Sequence, residues 1–500
     1  MPNDAWVEVQ RRMAELRDFS GVIGLLSWDQ ETYMPAGGAE GRAYHLAAMQ
    51  ALVHERLSDP RLGEWLDVAD GEAPDEWARA SLRNLRRERD RAVKVPAELV
   101  RELAERQSRA VEAWRTARAE SNYDLFRPHL TRLLELKRMQ ADALGHDGER
   151  YDALLEMYEP GMRVSRLVPI FERLERELSP IVRAITEAPP PSGRWEMAGK
   201  SFPIDGQWAF TIKLLSWMGF DLARGRQDRS AHPFTGGTGP GDVRLTTRLY
   251  EDNFFPAVFG TIHEAGHGLY EQNLPRGHER DFAGVAASMG LHESQSRLWE
   301  NLVGRSLAFW ERYLPELQRH LPATSEATPA SFFAAANRVE RSPIRVEADE
   351  VTYNLHILLR FRLELAMLRG DLSADDLPAA WNEGMEKALG FRPASDAQGC
   401  LQDIHWAWAE LGYFPTYTLG NLYAATLYAK LDADLGGVAD VIRRGELTRV
   451  RDWLGEKVHR VGHLHDAEEI VERATGTGLA VEPFLAYLRG KYGPLYGVSL

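Results

Sequence analysis

His263, Glu264 and His267, in the run Ile-His-Glu-Ala-Gly-His-Gly-Leu-Tyr-Glu, have the spacing that zinc-dependent hydrolysis requires. Positions four apart stand one above the other on a helix, so His263 and His267 can offer two imidazole nitrogens to one ion. Glu264 lies about a third of a turn round, which keeps its carboxylate off the ion but within reach of the attacking water. It can take that water's proton and pass it to a leaving amine. The competing reading is a pair of ordinary helical histidines. Against it, a His-Glu-x-x-His arises by chance in a chain of this length and composition only on the order of a few times in a hundred.

Two histidines leave the site incomplete, because catalytic zinc takes three protein ligands and keeps a fourth position open. Glu271 continues the same row, but three ligands in line on one helix span about 12 Å at about 1.5 Å per residue, too far to converge on one ion. The third ligand must therefore come from another element. The segment Leu-His-Glu-Ser-Gln-Ser-Arg-Leu-Trp-Glu-Asn has apolar residues at helical spacing and carries Glu293 and Glu300. Spacing does not choose between them. His292 is a weaker rival, since it adjoins Glu293 and points to another face of a helix.

The elements around these residues fit. Phe254, Phe255, Val258, Phe259, Ile262, Leu269 and Tyr270 supply apolar positions for a buried helix, Asn253 can cap it, and Pro256 falls in the first turn, where a missing N–H is tolerated. Upstream, Asp-Val-Arg-Leu-Thr-Thr-Arg-Leu-Tyr from residue 242 reads as a strand leading into the metal helix. The run Gly-Gly-Thr-Gly-Pro-Gly at 236–241 lacks the Gly-Lys-Ser of a phosphate cradle and reads as a mobile loop. Before residue 190 the pattern is nearly all helical: 11–25, 41–57, 76–93, 97–122, 123–144 and 164–187 combine periodic apolar positions with solvated Arg- and Glu-rich faces. Ala-Pro-Pro-Pro-Ser-Gly at 188–193 is the clearest break, and helical pattern returns from Ser296. The expectation is a mostly α fold with a few short strands beside the metal helix, a single catalytic unit of two lobes, 1–190 and 191–500.

The chain resembles the carboxypeptidase Taq family of zinc metallocarboxypeptidases along its whole length. The resemblance is carried by His-Pro-Phe at 232–234, Asp-Val-Arg-Leu-Thr at 242–246, the metal motif, His-Glu-Ser-Gln-Ser-Arg at 292–297, Ile-Arg-Val-Glu-Ala-Asp at 344–349 and Gly-Cys-Leu-Gln-Asp-Ile-His-Trp at 399–406. The opening at 25–39 is also similar. The resemblance implies Glu293 as third ligand, a zincin-like helical build with a long deep cleft and an N-terminal helical lid, broad specificity, and a homodimer. It also implies that the arginines of two motifs, Arg345 and Arg244, anchor the substrate carboxylate.

Chemistry supports those assignments independently. An enzyme acting at the C-terminus must bind a free carboxylate, and a planar guanidinium grips it with two parallel hydrogen bonds. Arg345 is the preferred clamp and Arg244 the second candidate. Each has an alternative in an ordinary ion pair, with Glu347 or Asp349 for the first and Asp242 for the second. The oxyanion formed by water attack needs donors besides the metal, and His405 and Tyr417 are the candidates. Both residue types also occur as plain core packing. Asp403 or Asp349 could orient a histidine from behind.

Composition excludes several classes. With 60 basic against 74 acidic residues the formal charge is −14, which disfavours nucleic acid and anionic membrane surfaces. No apolar run approaches the roughly 18 residues of a membrane span, and the start lacks a signal pattern. A single cysteine, Cys400, forms no internal disulfide and points to a cytoplasmic protein. It reads as a small buried residue, not a nucleophile. The sequence thus predicts a metal-dependent carboxypeptidase with one zinc per chain, cobalt being able to take the same ligands, acting on peptides with a free C-terminus. Two other readings stay open, an oligoendopeptidase or dipeptidyl peptidase with the same metal site and a catalytically silent peptide-binding protein.

Overall fold

A computed structural model describes residues 3–500. It is 67% helix and 3% strand. In chain order the elements that matter here are α1 (Asn3–Thr32), α2 (Ala39–Ser58), α3 (Pro60–Ala69), α4 (Glu76–Lys94), α5 (Ala97–Glu120), α6 (Arg127–Leu144), α7 (Arg150–Leu155), α8 (Val164–Glu187) and α9 (Ile204–Met218). Then come β1 (Gly225–Arg229), β2 (Thr235–Gly239), β3 (Asp242–Thr247), α10 (Phe255–Asn273), α11 (Met289–Arg297), α12 (Leu307–His320), α13 (Pro329–Ala336) and α14 (Tyr353–Arg369).

The chain divides into two compact units, one drawn from Met1–Ala92, Ser192–Asn337 and Tyr423–Leu479, the other from Val93–Pro191, Arg338–Leu422 and Ala480–Leu500. The first 190 residues therefore contribute to both. In the first unit, Val9, Met13 and Leu16 of α1 pack with Leu62, Leu66 and Ala69 of α3 and Leu82 and Leu85 of α4. Helix α3 has a plain sequence signal that the periodicity reading passed over: Asp59 accepts from the Arg61 N–H at 3.0 Å, and Pro60 opens the first turn. In the second unit, Val95, Leu99 and Leu103 meet Leu136. The single helix expected over 123–144 is instead a 3-10 turn, Tyr123–Leu125, followed by α6, with Pro128 placed in the first turn where its lack of an N–H is harmless.

A three-stranded sheet of order β1-β3-β2 lies in the first unit, with β1 parallel and β2 antiparallel to β3. The strand expected at 242 is the central one. The glycine run expected to be a mobile loop is partly β2, paired with β3 in the register Gly236↔Arg244 and Gly237↔Val243. Backbone conformation explains two of these glycines, and close packing explains a third on α1. Gly237 and Gly239 have φ of 151° and 146°, which side chains strongly disfavour. A methyl carbon built on Gly24 of α1 would also lie 2.5 Å from the Gly237 carbonyl oxygen, so α1 packs on this strand at backbone distance. No described helix is long and apolar enough to cross a membrane.

Candidate metal centre and active site

Helix α10 begins one residue later than an Asn253 cap would place it, with Phe254 at the cap position. The Asn253 side chain accepts from the Phe255 N–H at 3.1 Å, and Pro256 stands in the first turn. The helix is buried on nearly every side, with Phe259, Ile262, Ala265 and Leu269 at 2% exposure or less. It packs on β3, where the Thr261 hydroxyl donates to Thr247 Oγ1 at 3.1 Å. On the far side lies α11, capped by the Ser288 hydroxyl, which accepts from Leu291 N–H at 2.9 Å.

The two helices bring His263, His267 and Glu293 together, with one donor atom from each lying within 4.8 Å of the others. Glu293 Oε2 stands 3.8 Å from His263 Nε2 and 3.4 Å from His267 Nε2. Two imidazole nitrogens and one carboxylate oxygen converging in this way match a catalytic metal site that keeps a position for water. The donor set fits the ion it would hold.

Other groups fix each ligand. Glu300 Oε2 lies 2.9 Å from His263 Nδ1, so Glu300, left open above as a ligand, is behind the histidine and holds the ring with Nε2 facing inward. His292, the weaker rival, also lies behind: its Nδ1 is 2.5 Å from His267 Nδ1, and its Nε2 is 2.8 Å from Glu271 Oε1. Arg297 donates to Glu293 Oε1 at 2.6 Å and the Ser296 hydroxyl to Oε2 at 3.1 Å. Arg297 stands four residues after Glu293, a helical i,i+4 pair that could have been noticed in the sequence.

The electrostatics differ between the two histidines. Burial pushes His267 down to about 4, opposed in part by Glu293. Burial also disfavours charge on His263, yet Glu293 and Glu300 together leave its pKa above the ordinary value. Glu293 and Glu300 are penalised by burial, but their basic neighbours win and both are held below the usual carboxylate range. Glu264 behaves oppositely. Burial raises its pKa, and the Thr235 hydroxyl donates to its Oε2 at 2.6 Å. Nothing in Pro-Phe-Thr-Gly-Gly marks Thr235 as a neighbour of the metal motif; the β2–α10 packing places it there.

Arg244 on β3 is bidentate on Asp242, with both contacts at 2.8 Å, and lies 4.2 Å above the Trp28 ring. This is the ion pair weighed above as its alternative.

In the second unit Arg345, His405 and Tyr417 form one cluster. Arg345 Nε and Nη2 donate to Asp403 Oδ1 at 3.0 and 2.7 Å, Nη1 donates to Tyr353 at 3.0 Å, and the guanidinium lies 5.1 Å over the Tyr417 ring. Its partner is therefore Asp403, not Glu347 or Asp349. Arg360 shares the same carboxylate at 2.6 Å. His405 Nε2 is 3.3 Å from the Tyr417 hydroxyl, and burial pushes its pKa down to about 3, so the ring is neutral near pH 7. Of the two acids considered behind a histidine, Asp403 is hydrogen-bonded by two arginines and also acts electrostatically on His405, whereas Asp349 accepts from the N–H groups of Val351, Thr352 and Glu340 at 2.9, 3.1 and 3.0 Å. Cys400 is buried, with its thiol pKa raised by burial, as befits packing.

Comparison with known proteins agrees with this geometry. The family model described as carboxypeptidase Taq (M32) metallopeptidase matches residues 8–492. The chain is 45% identical to thermostable carboxypeptidase 1 of Thermus thermophilus over 98% of both sequences. The M32 carboxypeptidase structure from Deinococcus radiodurans is similar at a TM-score of 0.95 and 39% identity, covering 99% of this chain and 100% of that one. Trypanosoma cruzi metallocarboxypeptidase 1 gives 0.92 and 33%, covering 98% and 99%. With the match running through almost every residue, and with the triad its metallopeptidase name requires in place, the chain belongs to the carboxypeptidase Taq (M32) family of metallopeptidases.

Proposed function

We propose that this carboxypeptidase releases single residues from the free C-terminus of peptides, with broad specificity, using one zinc ion on His263, His267 and Glu293 and Glu264 as general base. The observation that carries the reading is the separation of roles on α10. Both histidine Nε2 atoms meet Glu293, while the Glu264 carboxylate is buried, raised in pKa and hydrogen-bonded to Thr235 instead. When bound, zinc supplies Lewis acidity to the scissile carbonyl and to the attacking water. Glu264 takes the proton of that water and delivers it to the leaving amine, and the rise that burial gives its pKa favours it as a proton acceptor. The Thr235 hydroxyl holds the acceptor oxygen in place.

Arg345 is proposed to recognise the substrate carboxylate, with Arg244 as a secondary anchor. Around Asp403 two guanidiniums face one carboxylate, so the positive charge there is only half matched by that group. His405 and Tyr417 are proposed as neutral donors to the oxyanion. The test is digestion of one peptide in three forms, free, C-terminally amidated and N-terminally acetylated, followed by mass spectrometry. Stepwise loss of C-terminal residues from the free and acetylated forms, with the amidated form nearly inert, is the expected result. Internal cleavage, or equal cutting of the amidated peptide, would replace this reading with an oligoendopeptidase.

A further inference from the structure

Glu271 continues the row of His263 and His267 along α10 but is no ligand, and His292 adjoins Glu293 but is no ligand either. Their mutual geometry gives both a task. His267 Nδ1 and His292 Nδ1 are 2.5 Å apart, a distance at which two ring nitrogens are satisfied only by one proton between them. The ring centroids are 4.6 Å apart and the planes differ by 30°, as for rings meeting edge to edge. At its other edge His292 Nε2 is 2.8 Å from Glu271 Oε1. A carboxylate only accepts, so His292 carries its proton on Nε2 and leaves Nδ1 bare. The bare nitrogen accepts from His267 Nδ1–H, and His267 keeps its Nε2 lone pair on the Glu293 side.

We propose that His292 and Glu271 are positioning residues, a histidine–glutamate strap from α11 back to α10 that sets the tautomer and ring orientation of His267 for metal binding. The inference rests on the metal reading above. It also explains why the two ligands are backed differently: His263 meets the Glu300 carboxylate directly, whereas His267 reaches a carboxylate only through a second imidazole. If Glu271 no longer accepts, His292 is free to carry its proton on Nδ1. It then faces the His267 Nδ1 proton, and His267 relieves the clash by moving its own proton to Nε2, where no metal can bind.

The experiment is zinc affinity by chelator competition at one fixed pH, on the full chain and on His292→Leu, Glu271→Ala, Glu271→Gln and the double variant His292→Leu/Glu271→Ala. Outer-shell partners of this kind typically contribute 10- to 100-fold to metal affinity. His292→Leu and Glu271→Ala should each weaken zinc by that factor, although neither touches the ion. Glu271→Gln keeps an acceptor and should bind close to wild type. The double variant should be no weaker than His292→Leu alone, because the two residues act in series. Nitrogen-15 spectra of histidine-labelled protein should place the His267 proton on Nδ1 in wild type and not uniformly so in Glu271→Ala. Wild-type affinity in both His292→Leu and Glu271→Ala, or equal loss in Glu271→Gln and Glu271→Ala, overturns the strap. Absence of zinc binding by the wild-type chain, or wild-type affinity in His267→Ala, overturns the metal reading instead. If His292→Leu does not fold, the Glu271 pair decides alone.

Discussion

Gly266, between the two histidines of the motif, is where the metal site is most exposed to a single methyl group. A Cβ there would stand 2.6 Å from the Gln295 carbonyl oxygen, 2.7 Å from Ser296 Cα and 2.9 Å from Gln295 C. Ordinary contact begins at 3.4 Å, so Gly266→Ala requires a displacement of about 0.8 Å. The obstructing atoms are backbone of α11, two and three residues beyond Glu293, and they cannot rotate aside. Ser296 also donates to Glu293 Oε2 at 3.1 Å, which couples the displacement to the ligand itself. Metal–ligand distances tolerate only about ±0.2 Å. Gly266→Ala should therefore lower metal affinity by about tenfold or more, beyond the roughly 1–3 kcal/mol of stability expected from overpacking. Gly268→Ala is the control, because its Cβ would meet the Leu245 and Phe220 side chains at 2.7 and 2.9 Å. Side chains can repack, so that variant should lose stability and keep wild-type metal affinity. The assay is chelator competition paired with thermal unfolding of the metal-free protein. Wild-type affinity in Gly266→Ala, or equal loss in both variants, would refute the argument that helix approach sets the ligand geometry.

Three further outcomes follow. Glu300→Ala should weaken metal binding by roughly 10- to 100-fold and Glu300→Gln by less, since the glutamine can still accept from His263 Nδ1; chelator competition reads both. Burial raises Glu364 to about 7 from 4.5, so its contribution to stability is full below pH 4.5 and is lost as pH rises through about 7. The loss is about 3 kcal/mol. In Glu364→Gln the fall in unfolding temperature between mildly acidic and alkaline pH should shrink, and an unchanged slope would show that Glu364 does not titrate there. Arg345→Ala should raise KM for free peptides and make the enzyme nearly indifferent to amidation, with Arg345→Lys recovering only part because an ammonium keeps the charge but loses the fork; steady-state kinetics on free and amidated peptides decide it.

The metal helix was legible because three independent signals coincide there: the His263–His267 spacing, the apolar surround and the Asn253–Pro256 start. Glu293 was not separable from Glu300 by pattern. They lie seven residues apart, about two helical turns, so both point toward α10. Their depth along the crossing is what assigns one to the Nε2 atoms and the other to His263 Nδ1, and depth is a property of tertiary packing. The same holds for Thr235, which reaches the site from β2 with no periodic signature, and for His292, whose neighbours His267 and Glu271 are set by the α10–α11 packing. The glycines at 236–241 were misread as mobility for a related reason: Gly237 and Gly239 hold positive φ within a paired strand, and a Cβ on Gly237 would run into the Asp242 backbone of β3, a constraint set by pairing and not by composition. Arg345 is buried on an ion pair whose acid, Asp403, lies 58 positions away, so the local acids Glu347 and Asp349 gave no sign of it.

The most direct test of the account is metal content and turnover measured side by side in wild type, Glu293→Ala and Glu264→Gln, using metal-depleted protein reloaded with zinc. The account predicts one zinc per chain and C-terminal release in wild type, loss of both in Glu293→Ala, and full zinc with activity lowered about 10²- to 10⁴-fold in Glu264→Gln. Zinc retained at wild-type affinity in Glu293→Ala, or normal turnover in Glu264→Gln, would contradict it.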